Sequence, residues 1–192
     1  MASLSDGVFS VALTLLVLPV TTVRVRDGNV LADVLALGPQ LFAFVLSFAV
    51  IGRYWVAHHD DVSLMSGATR RLLVANLVFL FFVVLLPFPT ALIGEDGGRT
   101  ATVLYAVSII ATALASLALW RTAGAEGLLT GVVARVEARR KEWDTVPLVG
   151  AFAVSIPVAI LVSPTWAQAT WALSVPLGIV AGRWRDRRPR GG

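Results

Sequence analysis

Six stretches of this chain contain no Asp, Glu, Lys or Arg: 7–23, 34–52, 72–93, 100–120, 145–163 and 165–182. All 16 basic and 12 acidic residues lie between or beyond them. A bilayer core takes a helix of about 20 apolar residues, so each stretch is long enough to cross once. Lipid offers no hydrogen-bond partners, so a spanning segment must satisfy its backbone as a helix or in a closed barrel. These runs are continuously apolar and lack the in-out alternation of barrel strands, which selects helices. The pattern predicts an all-α integral membrane protein with six transmembrane helices at about 5–23, 34–57, 71–93, 100–121, 145–163 and 165–183. The 192 residues form a single transmembrane domain, with little length left for a soluble one.

The same composition removes several functions. There is no cysteine, hence no disulfide framework, thiolate zinc site or redox pair. The sequence is basic, yet its arginines flank the spans instead of forming a face for nucleic acid. Residues 1–23 do not read as a cleaved signal, because Asp6 precedes the apolar run while Arg24 and Arg26 follow it.

The basic residues set the orientation. Arg53, Arg70 and Arg71 follow the second span, and Arg121, Arg135, Arg139, Arg140 and Lys141 follow the fourth. Arg183, Arg185, Arg187, Arg188 and Arg190 end the chain, whereas the opposite loops hold Arg24, Arg26 and Arg99. The positive-inside rule therefore predicts both termini in the cytoplasm. Residues 122–143 carry Leu128, Leu129, Val132, Val133 and Val136 at helical spacing opposite Arg135, Arg139 and Arg140, as in a linker helix lying along the cytoplasmic interface. Trp120, Trp143, Trp166 and Trp184 fall at span ends, where indoles anchor in the headgroups. Small-residue patterns, Ser108/Thr112/Ser116 and Ala111/Ala115 in the fourth span and Gly178/Gly182 in the sixth, fit close helix contacts.

The polar residues near the membrane are few. Ser5 or Asp6 could cap the first helix. A carboxylate at that depth is costly without a partner. Candidate partners share its end of the bundle: Arg53, Trp55, His58 and His59 after the second span and Asn76 at the start of the third. Ser5, Asp6, Trp55, His58, His59 and Asn76 are expected to form a cytoplasmic-side hydrogen-bond network. Adjacent histidines on a helix diverge by about 100°, so a metal site at His58 and His59 is not expected. Along the first helix Val11, Leu15 and Leu18 share one face beside the weakly polar Ser10 and Thr14. Side-chain hydroxyls of this kind can bond back to their own backbone.

These segments resemble a known family. Ser5-Asp6-Gly7-Val8-Phe9 with Leu13-Thr14-Leu15-Leu16-Val17-Leu18 is similar to helix 1 of the prokaryotic transmembrane-protein-175 potassium channels. Ser47-Phe48, Ile51, Tyr54-Trp55 and His58-His59 continue the resemblance in the second span. Asn76-Leu77, Phe81-Phe82 and Leu85-Leu86-Pro87-Phe88-Pro89-Thr90 continue it in the third. The family signature Arg-x-x-x-Phe-Ser-Asp has Leu4 at its Phe position here, and its arginine position falls one residue before Met1. Arg53, His58 and His59 then become candidates to neutralise Asp6.

The resemblance implies a homotetramer in the cell membrane with four copies of helix 1 lining a central pore. Val11, Leu15 and Leu18 would form a hydrophobic constriction, Thr14 would offer hydroxyls between its layers, and Ser10 would lie beside the pore. Potassium would be the permeant ion, with no cofactor. Val11 is smaller than the isoleucine or leucine common at its layer, which predicts a wetter constriction and weaker selectivity. Two other classes stand behind this one. A proton-coupled or metabolite carrier would ask for an internal repeat and carboxylates inside the spans. A membrane enzyme would have to use Asp6, His58, His59, Asp60 and Asp61, among which no nucleophile–base pair stands at helical spacing.

Overall fold

A computed structural model describes residues 1–21, 30–129 and 131–171, with side chains for all of these except 30–31, 34 and 131–144. The described residues form helices α1 (Ala2–Leu15), α2 (Leu18–Thr21), α3 (Val30–Ala36), α4 (Gly38–Ser63), α5 (Arg70–Leu85), α6 (Pro87–Glu95), α7 (Arg99–Ala125) and α8 (Gly131–Leu161). A further helical segment covers 164–171. Among the described residues four units are long and apolar enough to cross a bilayer: Ala2–Thr21, Gly38–Ser63, Arg70–Glu95 and Arg99–Ala125. Thr145–Leu161 is a shorter apolar helix within α8, and the sixth charge-free stretch passes beyond the described residues at 172. The arginines of 24–26 and of 183–190 also lie outside them.

Local chemistry explains the helix ends. Thr69 caps α5, its Oγ1 accepting the Leu72 N–H at 3.2 Å. Pro39 sits in the first turn of α4, where no backbone N–H is needed. Gly127, at φ +68°, lets the chain curl back so that the Leu128 N–H reaches the Ala123 carbonyl at 3.0 Å and closes α7. Ser163 turns the chain after α8: its Oγ accepts the Thr165 N–H at 3.2 Å, with Pro164 in the first helical turn. Two breaks divide spans instead of ending them. Pro19 separates α1 from α2, and Pro87 separates α5 from α6, because neither can donate to the carbonyl four residues back.

The helices run up and down beside one another, with α7 packed against α5, α6 and α8. Its buried face is mostly small: Ala101, Thr102, Ala106, Ser108, Thr112, Ala113, Ala115 and Ala123. Small residues let helix backbones approach closely where no hydrophobic effect drives them together. At one end the turns after α4 and α7 are joined, the Ser66 N–H donating to the Leu128 carbonyl at 2.9 Å and Met65 bridging to Leu129. At the other end Gln168 Nε2 donates to the Gly97 carbonyl at 3.0 Å and to Thr102 Oγ1 at 2.9 Å.

Several local expectations change. Helix α1 begins at Ala2, so neither Ser5 nor Asp6 is its cap; Ser5 lies inside the helix and donates to the Met1 carbonyl at 3.2 Å. Residues 122–125 complete α7, and 131–144 run on into Thr145–Leu161 as one helix with no break at its start. Trp120 is buried among the helices because it falls on the inward face of α7, while Trp166 is exposed. Trp143 and Trp184 lie outside the described side chains.

Candidate functional site

Helix α1 has two unlike faces. Ser5, Phe9, Ala12 and Leu16 recur at helical spacing and are buried against α4, α5 and α6. Val11, Leu15 and Leu18 lie on another side and are 54%, 38% and 53% exposed. Ser10 and Thr14 are exposed with them. The Thr14 Oγ1 donates its one proton to the Val11 carbonyl at 2.8 Å. Its oxygen can therefore only accept from, or coordinate, whatever lies in front of it. A surface that pairs apolar side chains with acceptor oxygens suits a partly dehydrated cation better than an anion.

The polar residues gather at the α1 start in two layers. On the outside, the Trp55 Nε1–H donates to Asp6 Oδ1 at 2.9 Å, and the His59 ring packs at 6.0 Å from Trp55. Inside, Asn76 Nδ2 donates to Ser5 Oγ at 3.3 Å. His58 is buried between aromatic rings, its centroid 5.9 Å from Phe9 and 5.3 Å from Phe79. The structure thus brings all six expected network residues to one end, joining α1, α4 and α5. The two histidines diverge, one inward and one outward. Among the described residues no three His, Asp or Glu side chains converge on a point. Arg53 is exposed, and Asp6 receives its hydrogen bond from an indole and no ion pair among the described residues.

A second polar group was not expected from spacing. Ser47 Oγ lies 2.8 Å from Thr90 Oγ1 and 3.1 Å from the Tyr105 hydroxyl, all three buried, linking α4, α6 and α7. Ser47 and Thr90 stand inside the recognisable motifs, but nothing in the fourth span marked Tyr105. Its ring packs 5.1 Å from Trp171, which stacks at 5.3 Å on Phe152.

Outward, α5 presents Leu73, Val74, Leu77, Phe81, Val84 and other large apolar side chains. A continuous face of that kind is not one a water-soluble monomer shows. Apolar helices of spanning length, greasy outside and with hydroxyls paired inside, define a multi-pass integral membrane protein. Its relatives narrow this further. Residues 1–87 match the family described as endosomal/lysosomal potassium channel TMEM175. A potassium channel of Streptomyces collinus is 38% identical over 122 residues, covering 60% of this chain and 59% of that protein. A potassium channel of Chamaesiphon minutus is 36% identical over 126 residues, covering 62% of each. The endosomal/lysosomal proton channel TMEM175 of Homo sapiens is 32% identical over 133 residues, covering 62% of this chain and 26% of that protein. The match thus spans about three fifths of the bacterial relatives' length. The crystal structure of a lysosomal potassium-selective channel TMEM175 homolog from Chamaesiphon minutus superposes with a TM-score of 0.77 at 26% identity, over 94% of this chain and 95% of that one. Over residues 1–87 the chain is thus similar to the TMEM175 family, and its fold is that of the solved Chamaesiphon homolog.

Proposed function

We propose that this chain is a potassium-permeable cation channel of the cell membrane, in which four copies place α1 around a central pore. Each copy crosses the membrane six times with both termini in the cytoplasm, where the arginines after the second and fourth spans also lie. The exposed side of the first span carries the proposal: Val11 and Leu15 on α1 and Leu18 at the start of α2 are left exposed among the described residues. Four such faces give stacked apolar rings with Thr14 oxygens between them. An apolar constriction gates by expelling water. It favours potassium over sodium because the larger ion gives up its hydration shell at lower cost. Val11 at the first ring makes this constriction wetter and less selective than one built with leucine. The bacterial relatives named potassium channels and the solved potassium-selective homolog support the reading.

The Ser5, Asp6, Trp55, His58, His59 and Asn76 network holds α1 against α4 and α5 at the cytoplasmic mouth. Potassium is the ion carried, and lipid and further copies of the chain are the partners. The test is reconstitution of the purified protein in planar bilayers and liposomes under a potassium gradient. Single-channel currents whose reversal potential follows potassium are expected. Saturable, electrically silent exchange would make it a carrier, and solute turnover without ion current would make it an enzyme. Val11→Leu is expected to raise the potassium-to-sodium permeability ratio.

A further inference from the structure

The span Arg70–Glu95 contains a joint. Pro87 has no N–H for the Val83 carbonyl, which accepts the Leu86 N–H at 3.2 Å instead, and Pro89 has none for Leu85. Sharp changes of helix direction concentrate at such prolines, where the hydrogen-bond ladder is cut. The backbone therefore holds the tilt of α6 relative to α5 only loosely, and other contacts must fix it.

Three buried hydroxyls meet at this joint. Thr90 Oγ1 donates to the Leu86 carbonyl at 2.7 Å. A hydroxyl has one proton, so Thr90 has none left for Ser47, and Ser47 must donate to Thr90 at 2.8 Å. Ser47 has then spent its own proton, so Tyr105 must donate to Ser47 at 3.1 Å. The direction is unique: Tyr105 to Ser47 to Thr90 to the carbonyl at the joint. One end is braced by rings, with Tyr105 against Trp171 and Phe152. The other end acts on α6, which touches α1 and α2, the helices carrying Leu15 and Leu18. Leu16 and Leu86 are buried in one core there.

We propose that the Tyr105–Ser47–Thr90 relay is a latch that sets the tilt of the proline-jointed α6 and, through it, the width of the constriction at Leu15 and Leu18. The second half of this statement rests on the pore reading above. These are positioning residues: none of them lies on the bare face of α1. Thr112 provides the control, since it is equally buried but donates to the Ser108 carbonyl of its own helix.

The test pairs hydrogen exchange over 88–95 with potassium flux from liposomes, for Thr90→Val, Thr90→Ser, Tyr105→Phe and Thr112→Val. In Thr90→Val and Tyr105→Phe, exchange in 88–95 is expected to rise about tenfold while 72–84 stays unchanged, as in a local opening. Potassium flux rises about fivefold in the same two variants, a lowering of the barrier by about 1 kcal/mol. Thr90→Ser, which keeps the hydroxyl of the relay, and Thr112→Val, which lies outside it, stay within about twofold of the unsubstituted protein in both measurements. Unchanged exchange in 88–95 overturns the latch, and so does a matching rise in Thr112→Val. Looser exchange with a steady or lower flux overturns its link to the constriction. If the unsubstituted protein passes no potassium, the pore reading fails, and the exchange measurements still judge the latch. Tyr105→Phe removes one oxygen and no carbon, so it serves where Thr90→Val fails to assemble.

Discussion

The spans Ala2–Thr21 and Arg99–Ala125, built on α1 and α7, are both long and apolar with their charges near the ends, yet the chain treats them in opposite ways. Of the most apolar window of Ala2–Thr21, 22% is buried within the chain, against 56% for Arg99–Ala125. Helix α7 is enclosed by α5, α6 and α8, and presents Ala, Ser and Thr to them so that backbones can close in. The first span uses one face of α1 for its neighbours and leaves Val11 and Leu15, with Leu18 at the start of α2, exposed. A span whose apolar face is regular, and whose own chain does not cover it, is built to be covered from outside. For α1 the proposed cover is its own symmetry mates around water; for the exposed side of α5, with no acceptor oxygen folded outward, it is lipid.

The largest effect that separates the two faces of α1 is on stability. Phe9 is 1% exposed and packs at 6.0 Å from Phe79, so Phe9→Ala is expected to cost about 3–5 kcal/mol. Leu15→Ala, on the bare face, is expected to cost well under about half of that within one subunit. Unfolding by graded denaturant in detergent measures both, and equal costs would break the contrast. Conduction should respond in reverse: Leu15→Ala and Leu18→Ala are expected to raise potassium flux about tenfold if each ring contributes roughly 1.4 kcal/mol to the barrier. Flux unchanged in both variants would remove the constriction from α1.

The charge-free runs made the all-helical membrane class legible, because neither burial nor partner choice enters that inference. The cluster at the α1 start was legible in its members, since Asp6, Trp55, His58 and Asn76 share one depth once the spans alternate. Its pairing was not. That Asp6 takes an indole proton while His58 turns between Phe9 and Phe79 depends on the rotation of α4, which a charge pattern does not encode. Ser47, Thr90 and Tyr105 are farther still from legibility: the Ser47 and Thr90 hydroxyls look like ones that bond only to their own backbone, as those of Ser108 and Thr112 do, and nothing marks which helix the Tyr105 phenol reaches. Trp120 misled for the opposite reason. Its place at the end of a charge-free run suggested a headgroup anchor, but its side of α7 faces inward.

A smaller effect tests how tightly the far ends of the enclosed helices are held. Gly94 lies against α4, where an added Cβ would stand 3.1 Å from the Gln40 Cα and 3.2 Å from its Cγ. The first of these is backbone and cannot rotate away, so Gly94→Ala must push α6 and α4 apart. Overpacking of this kind costs about 1–3 kcal/mol, partly offset because alanine favours a helix over glycine by up to about 1 kcal/mol.

Gly7 is the counterpart on the bare side of α1, where an added Cβ meets nothing within 4 Å. Within one subunit Gly7→Ala therefore gains the helix propensity with no clash, a stabilisation of about 0.5–1 kcal/mol. Denaturant unfolding of the two variants should move the midpoint down for Gly94→Ala and slightly up for Gly7→Ala. A Gly7→Ala subunit that unfolds later but assembles less completely, read by the oligomer's elution in mild detergent, would mean that a neighbouring copy approaches α1 at Gly7. Complete assembly would keep the close approach farther along the helix, at Val11 and beyond.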